Sequence, residues 1–302
     1  MNTNNQSFLA TLSENFLSVD VDSRARRLGF CKRRERKLTA AEYLLAFCLT
    51  ACSGASATLS SCVISIKSIL NKTLSKQALS QRLPHGLAPL AREVLAALLS
   101  RFALHPAKPQ QLKSAMQPFN RVIVQDSTTA ALDSAHAKLF PGSANWTGDD
   151  YAVAKIQAII DLKWGQFLHC CLGAFRRNDQ TASADIISLL TAGDLIIRDL
   201  GYFVLSVFQE IVERGAFFIT RLKYGVALYT LGGTPINLLQ LLKKHKSIDM
   251  IVLAGSTHRI AMRLVASAVD PEVAAQRRRL LRKNRDRRLN PSKTHFALLG
   301  WT

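Results

Sequence analysis

The chain contains 302 residues, of which 48% are hydrophobic, and this apolar content excludes a disordered polymer and is enough for two folded domains. Its 40 Lys and Arg residues outnumber its 21 Asp and Glu residues, so the net charge is +19. Such a charge opposes compaction unless a polyanion offsets it, and nucleic acid is therefore the expected partner.

The N-terminal residues and the cysteines indicate the compartment. Residues 1–20 are polar and lack the pattern of a signal peptide, and no apolar run approaches the roughly 20 residues that span a bilayer. The six cysteines contain no CxxC pair. We therefore expect a cytoplasmic protein with free thiols and no contact with a membrane.

Residues 1–118 are predicted to form a helical DNA-binding domain that ends in a linker. The helices are predicted over residues 7–17, 39–53, 56–70, 75–83 and 87–104. Thr39 and Glu42 have the spacing of a capping box. The helix over 75–83 is a candidate recognition helix for DNA, although an ordinary surface helix has the same pattern. Three prolines between 105 and 118 mark the linker.

The stretch 119–222 predicts an α/β unit with a mixed sheet. The order is strand, strand, strand, helix, strand, helix, strand, over residues 121–126, 151–161, 166–175, 181–190, 194–199, 203–214 and 217–222. Asp179 is expected near the N-cap of the helix that follows it. This order is that of ribonuclease H-like folds, in which the first and fourth strands are neighbours.

Two of these strands are predicted to end in an acid, Asp126 and Asp199, so both carboxylates are expected at one edge of the sheet. Paired carboxylates are suitable ligands for Mg²⁺ or Mn²⁺. Two such ions can activate a water or a 3′-hydroxyl for in-line attack on a phosphodiester. An Asp after a strand is also a common turn residue, so each of them alone has a structural alternative.

Residues 223–302 are predicted to contain a β-rich insertion and a basic segment. We expect a helix over 236–245 and strands over 248–253 and 259–266. Positive charge is concentrated here, in 272–293, and earlier, in 24–37. Such clusters favour contacts with DNA phosphates, and a solvated charged surface is the alternative for each. The residues expected to bind DNA are Arg33, Arg34, Arg36, Lys37, Arg221, Arg277, Arg278, Arg279, Arg282 and Lys283.

Three short blocks resemble the DDE transposases of the insertion-sequence-four family. They are Val-Ile-Val-Gln-Asp126-Ser-Thr, Leu-Ile-Ile-Arg-Asp199-Leu-Gly-Tyr202-Phe and Ala-Phe-Phe-Ile-Thr-Arg221-Leu-Lys. The resemblance covers residues 118–302 and implies a ribonuclease H-like core behind a helical DNA-binding domain. It also implies cleavage at the ends of a mobile element and strand transfer to new DNA.

In this resemblance, Asp126 and Asp199 correspond to the first and second metal-binding acids. Leu200 stands where the family usually has a basic residue. The family's third acid is a glutamate in a late helix with a tyrosine, arginine, glutamate and lysine signature, which this sequence lacks. We therefore expect a C-terminally truncated transposase with an incomplete two-metal site and weak or absent cleavage. The acids of other helices, Glu210, Glu213 and Glu272, are better explained by exposure or by the helix dipole.

Two hypotheses follow for the function. The first is a transposase-like protein for metal-dependent cleavage and strand transfer at insertion-sequence ends, acting on double-stranded DNA of the element ends and the target. The alternative is a non-catalytic, DNA-binding truncated product that inhibits the complete transposase. For both we expect a bacterial, nucleoid-associated protein, and a homodimer on DNA is one candidate assembly. Salt-dependent DNA binding fits both hypotheses, whereas metal-dependent nicking fits only the first.

Overall fold

The computed structural model describes residues 14–16, 18–31, 37–52, 58–83, 86–104, 114–142, 151–245, 247–283 and 297–300. It divides into two compact units, Met1–Ala107 and Lys108–Thr302. Within the described ranges, no helix is both long enough and apolar enough to cross a membrane.

The N-terminal unit is helical, as predicted. Its helices are α1 (Val21–Arg27), α2 (Ala40–Cys52), α3 (Leu59–Leu70), α4 (Lys76–Arg82) and α5 (Leu87–Leu104). The predicted helix over 7–17 lies mostly outside the described residues. Helix α1 was not predicted, because its three arginines made the segment look like part of an exposed basic cluster; it buries Val21 and Ala25 and is capped by Asp20.

Side-chain caps and one buried ring organise these helices. The predicted capping box is present at α2, where the Glu42 backbone N–H donates to Thr39 Oγ1 at 3.1 Å and the Thr39 N–H donates to the Glu42 carboxylate at 2.9 Å. Thr58 caps α3 in the same way. Tyr43 is fully buried, and its hydroxyl donates to the Leu79 carbonyl oxygen at 2.7 Å, which ties α2 to α4.

The C-terminal unit is built on a mixed sheet. Its strands are β1 (Val122–Leu132), β2 (Ala152–Asp161), β3 (Gln166–Ala174), β4 (Leu195–Arg198) and β5 (Phe217–Thr220), in the order β3-β2-β1-β4-β5. Strands β1, β4 and β5 are parallel, and β2 is antiparallel to both of its neighbours. The predicted α/β fold with preceding helices is confirmed, and β1 and β4 are neighbours as expected.

Two connections complete this sheet. A 3₁₀ segment, Thr181–Leu189, lies between β3 and β4, and helix α6 (Leu205–Glu213) lies between β4 and β5. Helix α6 is strongly amphipathic and packs Phe208 and Ile211 against the sheet. Asp179 lies directly before the N-cap residue of the 3₁₀ segment, Gln180, and so near the cap as expected. It does not cap the segment itself, because the Thr181 N–H donates to the Asn178 side chain at 2.8 Å.

The C-terminal unit also contains a small second sheet and two further helices. The sheet has the order β6-β7-β8, with β6 (Leu228–Tyr229), β7 (Ser247–Ala254) and β8 (Ile260–Ser267), and the helices are α7 (Leu238–Lys244) and α8 (Pro271–Lys283). The two longer strands and α7 were predicted. Strand β6 has two residues, too few for a recognisable alternation.

Candidate catalytic site

The two acids of the predicted site stand on neighbouring parallel strands. The pairing of β1 with β4 ends at Gln125 opposite Arg198, so Asp126 and Asp199 are the next residues of the two strands. Side chains alternate along a strand, which directs both acids to the face opposite Gln125 and Arg198. Both acids are exposed. The register therefore brings two accessible carboxylates to the same level of the sheet.

The prediction that Asp126 ends its strand is wrong. Strand β1 continues to Leu132, and every residue from Asp126 onwards pairs with β2, from Asp126 opposite Ala158 to Leu132 opposite Ala152. The β-branched run of the sequence ends at Asp126, but pairing with the long antiparallel strand β2 keeps the backbone extended beyond it. Because β4 stops at Arg198 while β1 continues, β1 does not pair with β4 from Asp126 onwards. Asp199 directly follows β4, as predicted.

The ionised form of Asp199 is stabilised by its surroundings. The backbone N–H of Leu200 and the guanidinium of Arg221 both hydrogen-bond the carboxylate and hold its pKa below the usual value, against a smaller opposing effect of burial. Arg221 follows β5 and is 72% exposed, while the Asp199 side chain is 58% exposed. This ion pair is therefore open to solvent and to ligands.

A polar cluster on the face of the sheet that carries Gln125, close in the chain to the two acids, was missed in the sequence. Asp179 Oδ1 accepts hydrogen bonds from Ser127 Oγ at 2.9 Å and from Gln157 Nε2 at 3.4 Å, and lies 2.7 Å from Lys155 Nζ. The Tyr202 hydroxyl donates to Gln157 Oε1 at 2.6 Å. These side chains come from β1, β2, the segment after β3 and the turn after β4. The alternation of Lys155 and Gln157 in an otherwise apolar strand was the available signal.

The charges in this cluster are coupled to those of the predicted acids. Burial alone would raise the pKa of Asp179, but the hydrogen bonds from Lys155 and Ser127 outweigh it and the pKa is lowered. Burial raises the pKa of Tyr202, and the negative charges of Asp179 and Asp126 raise it further. Tyr202 is therefore neutral and acts as a hydrogen-bond donor.

Arg198 lies beneath the site, only 4% exposed. Its Nη2 donates to Gln125 Oε1 at 2.7 Å, to Ser183 Oγ at 2.8 Å and to the Ser183 carbonyl oxygen, while Nε and Nη1 have no hydrogen-bond partner. Its guanidinium carbon lies 5.6 Å from the centre of the Tyr202 ring and 5.7 Å from that of Phe208. Burial lowers the pKa of Arg198 to about 10, so it stays charged at neutral pH.

The predicted DNA-binding residues that the structure describes belong to both units. Arg33, Arg34 and Arg36 lie outside the described residues, and Lys37 is exposed in the N-terminal unit. The others belong to the C-terminal unit, where Arg221 bonds Asp199 and the remainder lie on α8. On that helix Arg279 and Arg282 are exposed, Arg277 and Arg278 are half-buried, and the Lys283 side chain lies outside the described part.

The two carboxylates have no third candidate ligand beside them among the described residues. In the stretches of chain that the structure describes, no group of three or more His, Cys, Asp or Glu side chains is placed to hold a metal ion. Glu210, Glu213 and Glu272, weighed above as substitutes for a third acid, are exposed on their helices. The described residues thus offer Asp126 and Asp199 and no third ligand.

A mixed sheet of this order, with two acids beside its central parallel strands, is the arrangement expected of a DDE enzyme core. The sequence pattern of the family described as "Transposase DDE domain" matches residues 117–297, and the chain belongs to this family. The resemblance found in the sequence is thereby confirmed. The expected truncation stays a prediction.

Individual relatives are transposases of insertion sequences. The chain is 29% identical over 231 residues to the transposase for insertion sequence element IS231B of Bacillus thuringiensis subsp. berliner. These aligned residues are 76% of this chain and 47% of the relative. The chain is 30% identical to the IS231C transposase of the same organism, over 71% of the chain and 44% of the relative. For the IS1151 transposase of Clostridium perfringens the identity is 24%, over 81% and 51%. The chain spans about half the length of these relatives.

Proposed function

We propose that this chain acts in DNA transposition. In this proposal Asp126 and Asp199 hold divalent ions, Mg²⁺ or Mn²⁺. The site that they form cleaves phosphodiesters at insertion-sequence ends and transfers the strand to target DNA. The observation that carries the proposal is the register of β1 and β4, which leaves two exposed carboxylates next to their last paired residues. The relatives, all named as transposases for insertion sequence elements, support it.

The donor set fits these ions, because hard cations of this size take carboxylate oxygens and keep several waters. When bound, a pair of them supplies an activated water or 3′-hydroxyl and stabilises the leaving oxygen. Asp199 is ionised at neutral pH, as its lowered pKa indicates, so it binds a cation without first losing a proton. The residues of β1 and β4 that precede the acids are mostly buried and pair with one another.

Arg221 is proposed to contact the DNA backbone. Its ion pair with Asp199 is exposed, and pairs of this kind contribute little to stability. A metal ion at Asp199 would compete with the guanidinium, which is then free to bind a phosphate oxygen. The exposed arginines of α8 would add contacts that neutralise phosphates without reading sequence.

We further propose that the complete site uses a third carboxylate, as the resemblance to the insertion-sequence-four transposases implies, and that the two aspartates without it support only weak cleavage. The described residues offer no third ligand beside the two aspartates. That observation also favours the second candidate, a non-catalytic protein that occupies element ends and inhibits the complete transposase. In both cases the partner is double-stranded DNA, a homodimer on DNA is a candidate assembly, and the place of action is the bacterial nucleoid.

Nicking and DNA binding, measured together, separate these candidates. Supercoiled plasmid carrying the element ends is incubated with Mn²⁺ and either the wild-type chain or one of the variants Asp126→Asn and Asp199→Asn. The control variant is Asp185→Asn, because the Asp185 carboxylate pairs with Arg177 at 2.7 Å. The first candidate predicts slow nicking that both site variants lose and the control keeps, with unchanged DNA retention. Nicking by the site variants would refute the assignment. Tight binding without any nicking would favour the inhibitor.

A further inference from the structure

Asp179 joins the backbones that carry the two proposed metal ligands. Ser127, which donates to its Oδ1, is the neighbour of Asp126 in β1. Its Oδ2 lies against the turn after Asp199, because a β-carbon at Gly201 would come within 2.7 Å of that oxygen. One carboxylate thus touches residues one and two positions away from the proposed ligands.

Lys155 fixes the Asp179 carboxylate from the side of β2. The Lys155 side chain is 8% exposed and its Nζ lies 2.7 Å from Asp179 Oδ1, with the Phe175 ring 5.8 Å away. Burying an ammonium group carries a large desolvation penalty, and an ion pair in such a place is weak evidence of a gain in stability. Such a pair does, however, define one arrangement of the groups that it connects.

We infer that Asp179, held by Lys155, is a positioning residue that sets the separation of the Asp126 and Asp199 carboxylates; this rests on the proposed function. The pair links β2, the segment after β3, β1 and the turn after β4, and all of these contacts are local to the site. Groups that orient metal ligands in this way commonly change metal affinity about 10–100-fold when they are removed. A β-carbon at position 201 would lie 2.7 Å from Asp179 Oδ2, so any residue other than glycine there displaces the Asp179 carboxylate.

Binding of Mn²⁺ alone to the full chain, measured by titration calorimetry without DNA, tests the inference. Asp179→Asn and Lys155→Met are expected to weaken Mn²⁺ binding about 10-fold or more. Asp185→Asn, which breaks the comparable Arg177–Asp185 pair, is expected to bind as the wild type does. Thermal unfolding of each variant, recorded in parallel, separates a loss of affinity from a loss of folded protein.

A second variant leaves both charges in place. Gly201→Ala is not strained by its backbone, since Gly201 does not have a positive φ, but its β-carbon must displace the Asp179 carboxylate. We expect Gly201→Ala to weaken Mn²⁺ binding. Adding Asp179→Ala to Gly201→Ala should then reduce the Mn²⁺ affinity by less than Asp179→Ala does in the wild type. The control is Gly173→Ala on β3, where an added β-carbon meets nothing within 4 Å.

The outcomes are distinguishable. If Asp126→Asn and Asp199→Asn abolish Mn²⁺ binding while Asp179→Asn and Gly201→Ala bind normally, the inference is overturned and the proposed site stands. If the two ligand variants bind Mn²⁺ as the wild type does, the proposed function itself fails. Should Asp179→Asn not fold, Gly201→Ala decides alone, and unchanged affinity in that variant overturns the inference.

Discussion

At the scale of single residues, the buried carboxylate of Asp194 is stabilised by hydrogen bonds from Arg121 and Thr191. Asp194 is fully buried and accepts hydrogen bonds from Arg121 Nε at 2.9 Å and Arg121 Nη2 at 2.5 Å, and from the Thr191 backbone N–H at 2.8 Å. Burial alone would raise the pKa of Asp194, but these bonds outweigh it and the pKa is lowered. Arg121 and Asp194 directly precede β1 and β4, so their ion pair links the first residues of the two strands. It lies at the opposite end of these strands from Asp126 and Asp199.

Asp194→Asn is therefore expected to destabilise the C-terminal unit by roughly 3 kcal/mol at neutral pH, because it leaves the Arg121 charge partly buried without its partner. A carboxylate with a lowered folded pKa contributes stability above its unfolded pKa of about 3.9 and loses that contribution as the pH falls through the folded value. The difference between variant and wild type should thus shrink below about pH 4. Urea unfolding across this range measures it.

The matched control for this change is Asp249→Asn. Its partner Arg263 is 68% exposed and its own side chain 51% exposed, so the same substitution removes an ion pair that solvent already screens. If Asp194→Asn and Asp249→Asn lowered the free energy of unfolding equally, burial would not be the reason why the Asp194 ion pair stabilises the fold.

At the scale of elements, periodicity and caps made much of the fold predictable. The spacing of apolar residues predicted helices α2 to α5 and strands β2 and β3 closely. Helix α1 was not predicted, because it buries only Val21 and Ala25 and its three arginines are typical of an exposed basic segment. The end of β1 was misplaced, because its length is set by pairing with β2 and not by its own residues.

The candidate site could be predicted only in part. Asp126 and Asp199 were found because each follows an apolar run, which is a local signal. The contact of Ser127 with Asp179 joins residues 52 positions apart, and nothing near Asp179 in the sequence indicates it. Asp179 instead looked like a helix cap, a role that the neighbouring Asn178 fills.

The capping box at α2 provides a prediction at this scale. Thr39→Ala removes the hydroxyl that accepts from the Glu42 N–H and should lower the free energy of unfolding by about 1 kcal/mol. The control is Thr73→Ala, since Thr73 is exposed between α3 and α4. Chemical denaturation followed by circular dichroism measures both. A loss from Thr73→Ala as large as that from Thr39→Ala would show that the cap is not the cause.

At the scale of the whole molecule, the net charge of +19 predicts DNA binding that depends steeply on salt. Arg279→Gln with Arg282→Gln removes two exposed charges of α8 and should reduce the slope of log K against log salt by roughly 2. The control is Arg263→Gln, which breaks an exposed pair on the small sheet. An unchanged slope for the α8 variant would exclude that helix from the DNA interface.

The claim on which the account depends is that Asp126 and Asp199 hold divalent ions together. Crystals of the chain soaked in Mn²⁺, with anomalous diffraction recorded at the manganese absorption edge, test it most directly. We expect an anomalous peak at coordinating distance from carboxylate oxygens of both residues, with Arg221 displaced from Asp199. A manganese peak that contacts neither residue, or carboxylates too far apart to share an ion, would contradict it.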